Sequence, residues 1–234
     1  MTAHAPDIKV FSTHALYEVL HELKPAFERA SGRNLSCTFD PTKAVRRRIE
    51  GGEPFDVAIV TRSAIDALAG RGAIIPESCV DLGRSGLGLS VRKGAARPNI
   101  ATVDALRRAL LDAASIVRSA EGASGQYFDT LLDRLGIGEP VRGKIKIGQS
   151  GRVAELVANG EAEMAVQQVS ELLPVAGADY VGPLPAELQL YTDFAAGIAA
   201  TSQARAAAQS LIDMLAAPAA RPLFEANGLE PAGR

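Results

Sequence analysis

The order of strand and helix signals constrains this chain more than any other feature. Ile8 to Phe11 is a short strand-like run, after which Leu16, Leu20, Leu23 and Phe27 recur at helical spacing until Gly32. Leu35 to Phe39 reads as a second strand, Ala44 to Glu50 as a helix closed by Gly51-Gly52, and Phe55 to Val60 as a third strand. Ser63 to Ala69 is the next helix. The third strand is almost wholly apolar, as a strand covered on both faces must be. Strands and helices alternating in this way predict a parallel sheet with helices packed on its faces.

The glycine-rich stretch Asp81 to Gly94 then reads as an extended crossing, and it lacks the GxGxxG-to-helix context of a dinucleotide site. A second alternation follows. Helices are expected over Val103–Ala113, Gln126–Leu135 and Arg152–Ala158, and strands over Ala114–Ser119, Ile145–Gly148 and Ala162–Gln168. Leu188 to Ala200 reads as a second crossing, before helices at Ala204–Ala216 and Arg221–Asn227. The expected fold class is α/β: two βα lobes with a mainly parallel sheet each, joined by two hinge crossings. One lobe is expected over 1–83 plus 198–234 and the other over 88–190, with hinges near 84–87 and 191–197.

Composition removes several functional classes. The net charge of -2 offers no basic face for nucleic acid. Aromatics are 5% and Trp is absent, which argues against a stacking platform for sugars or bases. No apolar run is long enough for membrane insertion. The first residues carry no basic segment followed by an apolar one, so a cytoplasmic location is expected, or a periplasmic one if a signal has been removed. Cys37 and Cys79 have no paired spacing, and His4, His14 and His21 form no ligand cluster, so neither a metal nor a cofactor is expected.

The residues that could carry chemistry sit where strands hand over to helices. Four helix starts, at Ser12-Thr13-His14, Thr42-Lys43, Ser124-Gly125 and Ser150-Gly151, offer backbone N–H groups and the positive end of a helix dipole. Taken singly, each is equally an ordinary cap. Lys43 and Arg152 lie where a cation opposes the dipole, which makes a ligand-facing role reasonable beside that of a solvated surface cation, with the weaker case at Arg152. Arg118, at the carboxyl edge of its strand beside Ser119, is a candidate bidentate clamp on a carboxylate, with a surface ion pair as the alternative. Gln167 or Gln168 can donate an amide at another strand end, and Tyr191 lies on the second crossing. His14 is the candidate catalytic residue, an anion donor or a base, against a capping or packing histidine. The arginine run Arg46-Arg47-Arg48 reads as a solvated face.

Several segments together carry a resemblance. They are Val10-Phe-Ser-Thr-His-Ala-Leu16, Arg48-Ile-Glu-Gly-Gly-Glu-Pro-Phe-Asp-Val-Ala-Ile-Val60, Ala123-Ser-Gly-Gln-Tyr127 and the ending Leu223-Phe-Glu-Ala-Asn-Gly-Leu229. In order and spacing the chain resembles the molybdate-binding branch of the type II periplasmic binding proteins. The resemblance implies two lobes with a small anionic ligand in an interlobe cleft. It implies neutral oxyanion donors near Ala15, at Thr42 or Lys43, at Ala123-Ser124-Gly125, near Ser150-Gly151 and at Gln168. In that family the position of Gln168 carries a tyrosine, and two neutral hydroxyl donors are replaced here. With Lys43, Arg118 and Arg152 as possible cations, an organic di- or tricarboxylate is expected rather than molybdate. Some relatives of that branch isomerise unsaturated tricarboxylates such as aconitate, so cofactor-independent proton transfer is a second reading. A molybdate- or tungstate-binding protein serving an ABC permease, if exported, is the third.

Overall fold

The computed structural model describes residues 7–148 and 151–233. In chain order the first elements are β1 (Ile8–Ser12), α1 (Tyr17–Ser31), β2 (Leu35–Phe39), α2 (Thr42–Glu50), β3 (Val57–Thr61) and α3 (Arg62–Gly70). Next come β4 (Val80–Ser85), β5 (Leu87–Arg92), α4 (Val103–Asp112), β6 (Ile116–Ser119), α5 (Ala123–Arg134) and α6 (Gly138–Arg142). Then follow β7 (Ile145–Gly148), α7 (Ala154–Ala158), β8 (Met164–Gln168), α8 (Val169–Leu172) and β9 (Ala178–Pro183). The chain ends with β10 (Thr192–Ile198), α9 (Arg205–Ala216), α10 (Arg221–Ala226) and β11 (Glu230–Pro231).

These elements form two units, one of the chain up to Arg84 with the chain from Asp193 onward, the other Ser85–Thr192. The first unit holds a six-stranded sheet in the order β11-β4-β10-β3-β1-β2. The strand β3 shows why its sequence is so apolar. Val57 and Ile59 pack with α1 and α9, whereas Ala58 and Val60 pack with α2 and α3. All four are fully buried, so alternate side chains fill two cores, one on each face of the sheet.

The second unit repeats the plan with five strands in the order β7-β6-β8-β5-β9. Ile116, Met164 and Val166 face a core built with α4 and α5, including Leu106, Phe128, Leu131 and Leu132. Val117 and Ala165 face the opposite core, with Ala154 and Val157 of α7.

Both sheets are mixed rather than mainly parallel. β2, β1 and β3 run parallel, as do β7, β6 and β8. β10 is antiparallel to β3, and β5 is antiparallel to both β8 and β9. The antiparallel strands β5 and β10 each enter their sheet from the other unit's strands, β5 one residue after β4, and not through the crossover helix that brings a strand back parallel to its neighbour. The stretch expected as a hinge near 191–197 is largely β10, whose Phe194 lies opposite Thr61 and whose Ile198 lies opposite Val57.

The core on the α5 side of the second sheet depends on Phe128, which is fully buried. Phe128→Ala is expected to cost about 3–5 kcal/mol in urea unfolding, since the cavity adds to the lost transfer energy. A loss under about 1 kcal/mol contradicts this packing account.

Candidate functional site

In the first unit the expected loop follows β1. Asp40 donates its N–H to the Ser12 carbonyl at 3.0 Å, and the Thr13 N–H donates to the Ile59 carbonyl at 2.9 Å. The loop is thus held between its two neighbouring strands. The Ser12 hydroxyl donates to the Thr13 carbonyl at 3.0 Å. Thr13 is 6% exposed, and its Oγ1 has no hydrogen-bond partner. His14 opens a short 3-10 turn, with its ring 6.4 Å from that of Phe39. Phe39 also meets Tyr17 at 4.8 Å, so the loop is backed by aromatic surface. Thr42 is the first residue of α2, and Lys43 beside it is exposed. The arginines of α2 behave as a solvated face: Arg46 pairs with Glu50, and Arg48 pairs with Asp40 and Glu53.

In the second unit the expected residues gather where β6 ends and α5 begins. Ser119 is buried, and its Oγ has no hydrogen-bond partner. Ser124, in the first turn of α5, is also buried. A Cβ built on Gly122 would collide with the Ser119 hydroxyl, and one built on Gly125 with the Ser119 carbonyl oxygen. Only glycine lets the first turn of α5 sit this close to the end of β6. Gly122 is the N-cap and contributes no side-chain cap. The amides of Gly125 and Gln126 both donate to the Gly122 carbonyl, at 3.1 and 3.2 Å. The amides of Ala123 and Ser124 stand earlier in the turn, where a helix offers no internal acceptor. Two amides without an internal acceptor, two buried hydroxyls and the positive end of a helix dipole therefore lie close together at this helix start, and that arrangement suits an anion.

Of the two roles expected for Arg118, the structure shows the ion pair. Its Nε and Nη2 meet the two carboxylate oxygens of Asp129 at 3.0 and 2.6 Å, and Nη1 donates to the Ser119 carbonyl at 2.9 Å. The fork expected to clamp a ligand carboxylate grips a carboxylate on α5 instead. It locks α5 to β6 and orients Ser119.

Of the remaining expected residues, Ser150 lies outside the described residues. Gly151 is buried, and its carbonyl accepts a hydrogen bond from Gln167 Nε2. Arg152 precedes α7, which starts at Ala154, and pairs with Glu155 at 3.4 Å. Gln168 is buried and donates to the Thr192 hydroxyl at 3.2 Å. Tyr191 is 42% exposed. Among the described residues no group of three or more His, Cys, Asp or Glu is placed to hold a metal ion, and no helix is long and apolar enough to cross a membrane.

A hollow of about 470 Å³ in the first unit is lined by Arg62, Asp81, Arg84, Asp193 and Glu230. Arg62 pairs with Asp81 and Arg84 with Glu230, so its charges largely cancel. It lies by β4, β10 and β11 rather than at the expected loops.

Sequence reasoning missed Glu171, on the short helix α8. Burial pushes its carboxyl up to about 8, partly offset by a hydrogen bond from Gln167. By surface area the residue is only partly buried. The one available signal was an acid standing in the apolar run Val169-Ser-Glu-Leu-Leu173, and propensity gives that no weight.

The folded chain holds this proton up to about pH 8, whereas the unfolded chain releases it near the ordinary glutamate value of 4.5. Between these values the folded state binds more protons, so stability falls as pH rises through that window. Glu171→Gln is expected to flatten the fall, measured by denaturant unfolding at about pH 5 and about pH 8.5. A wild-type-to-variant difference that is the same at both pH values contradicts the buried carboxyl.

Comparison with known proteins agrees with this architecture. The family model described as bacterial extracellular solute-binding protein matches residues 8–230. An aconitate isomerase of Pseudomonas sp. is 34% identical over 230 residues, covering 96% of this chain and 87% of that protein. The periplasmic molybdate-binding protein of Azotobacter vinelandii superposes with a TM-score of 0.79 at 18% identity, over 97% of this chain and 100% of that one. The sulfate-binding protein SubI of Mycobacterium tuberculosis superposes with a TM-score of 0.77 at 16% identity, over 97% of this chain and 88% of that one. The two solved structures establish the type II periplasmic-binding-protein fold. With that fold, and with the family model matched over nearly its whole length, the chain belongs to the bacterial extracellular solute-binding protein family.

Proposed function

We propose that the chain binds an unsaturated tricarboxylate of the aconitate type and isomerises it by proton transfer. The observation that carries this reading is the 34% identity with the Pseudomonas aconitate isomerase across 96% of the chain. The anion donors at the start of α5 supply the physical rationale. A carboxylate placed there accepts from the Ala123 and Ser124 amides and from the buried Ser119 hydroxyl, which has no other acceptor.

The chemistry asks little more. A proton on the carbon between a carboxylate and the double bond is acidified by both. Its removal leaves a dienolate whose charge spreads onto carboxylate oxygens. Donors fixed in advance around those oxygens stabilise that charge without reorganising. No cofactor enters the scheme.

A second reading, binding without turnover, is favoured by the structural neighbours, whose names state molybdate and sulfate binding. The same helix-start donors serve a tetrahedral oxyanion equally well.

Thermal-shift measurements against cis- and trans-aconitate, citrate, molybdate and sulfate, followed by proton NMR of the incubated hits, separate these readings. A shift with aconitate and the appearance of its isomer are expected. A shift without isomer supports the binder, and a shift with molybdate alone overturns the tricarboxylate reading. Ser119→Ala is expected to weaken tricarboxylate binding about tenfold or more, as for a hydrogen bond to a charged group. Its ligand-free melting temperature is expected to stay level or rise, because a buried hydroxyl without a partner is removed. Unchanged affinity contradicts the placement of the anion.

A further inference from the structure

We infer that Asp129 is a positioning residue of the anion site: acting through Arg118 it fixes Ser119, and with it the affinity of the site. The assignment rests on the placement of the anion at the start of α5, and not on turnover.

A closed ring of contacts ties this corner of the second sheet together. Asp129 lies on α5 four residues after Gly125, so the two share one face of the helix, a turn apart. Both Asp129 carboxylate oxygens accept from Arg118, from Nε at 3.0 Å and from Nη2 at 2.6 Å. The third nitrogen of that guanidinium, Nη1, donates to the Ser119 carbonyl at 2.9 Å. The same carbonyl oxygen stands against Gly125, where a Cβ would overlap it. The ring runs from Asp129 to Arg118, on to the Ser119 carbonyl and Gly125, and back along one turn of α5.

The Ser119 carbonyl needs that ring because the sheet does not hold it. The peptide between Ser119 and Ala120 gives its N–H to the Gly148 carbonyl at 3.2 Å, on the β7 side. In a trans peptide the carbonyl points the opposite way, toward β8. There the pairing of β6 with β8 runs only through Ile116–Met164 and Val117–Ala165. Arg118 therefore supplies the donor that a neighbouring strand supplies further down. The hydroxyl of the same residue is buried without a hydrogen-bond partner, against Gly122 at the N-cap. With no bond of its own, that hydroxyl takes its place from the backbone that carries it.

Arg118 can do this only while Asp129 engages the rest of its fork. The Arg118 side chain is 14% exposed, and an enclosed guanidinium stripped of its carboxylate turns toward water or another anion. Charge alone has the opposite consequence. Asp129 is an anion close to an anion site, so by Coulomb's law its removal favours a bound anion. The sign of the effect separates the two: positioning makes the loss of Asp129 weaken binding, whereas charge makes it tighten binding. A role in stability alone lowers the melting temperature and leaves the affinity of the folded chain as it was.

The test is a double-mutant cycle on the full chain, with the Kd for trans-aconitate measured by calorimetric titration well below the melting temperature. Asp129→Asn is expected to weaken binding about tenfold, the loss of one hydrogen bond to a charged group. The variant carrying both Asp129→Asn and Ser119→Ala is expected to bind about as weakly as Ser119→Ala alone, because both changes remove the same donor. Asp129→Glu, which keeps the carboxylate, is expected to recover part of the affinity. Unchanged or tighter binding by Asp129→Asn overturns the inference, as do losses that multiply to about a hundredfold in the double variant. In both cases a weakened Ser119→Ala leaves the placement of the anion standing. Ser119→Ala with wild-type affinity overturns that placement and the inference with it. A wild type that binds sulfate and not trans-aconitate overturns the tricarboxylate reading, and the same cycle with sulfate then decides the inference. A wild type that binds neither overturns both. Should Asp129→Asn fail to fold, Arg118→Lys takes its place, since it keeps the positive charge and loses the fork. It is expected to weaken binding at least about fivefold, and unchanged affinity overturns the inference.

Discussion

The close seating of the first turn of α5 on the end of β6 is the contact on which the rest of the site depends. Gly122 and Gly125 permit it, since a Cβ at either position would strike Ser119. The Arg118–Asp129 fork holds it, with the Arg118 side chain 14% exposed and both carboxylate oxygens engaged. Phe128 anchors the same helix from below, in the core. Because the helix cannot back away, its first amides, the Ser119 hydroxyl and the Ser124 hydroxyl stay close together. Pre-set donors of this kind bind an anion without paying to be ordered first.

Much of this was legible in the sequence because it is local. The strand-helix alternation through Val60 follows from periodicity, and the Gly122-Ala-Ser-Gly125 loop announced a close helix start. What was not legible is what depends on tertiary pairing. For Arg118 the sequence offers both a ligand clamp and an ion pair, and the ion-pair partner sits eleven residues on, where only the fold brings Asp129 alongside. β9 carries Gly182 and Pro183 and is half-buried up to an exposed Pro183, so no period-two pattern marks it. β10 read as a crossing because its apolar run Phe194 to Ile198 has no alternation; burial on both faces, opposite β3, supplies the reason. Glu171 is the clearest case. Its chemistry comes from enclosure, and enclosure leaves no trace in a run of five letters.

The family places a binding fold beside an isomerase relative, and the physical distance between the two activities is short. A site that holds a carboxylate with fixed donors already stabilises negative charge. If the charge grows in the transition state, the same donors contribute more there than in the ground state, and that difference is catalysis. The missing part is a group able to take a proton and give it back near neutral pH. Ordinary carboxylates are too weakly basic, and burial without a cation is the simplest physical way to correct that.

The central claim is that the start of α5 holds the anion. The direct measurement is a titration of the nitrogen-15-labelled chain with trans-aconitate, following the backbone amide signals of Ala123, Ser124 and Gly125. The account predicts that these signals shift together and saturate with the ligand, and that the shifts weaken in Ser119→Ala. Saturable binding of trans-aconitate that leaves all three amides unmoved would contradict it.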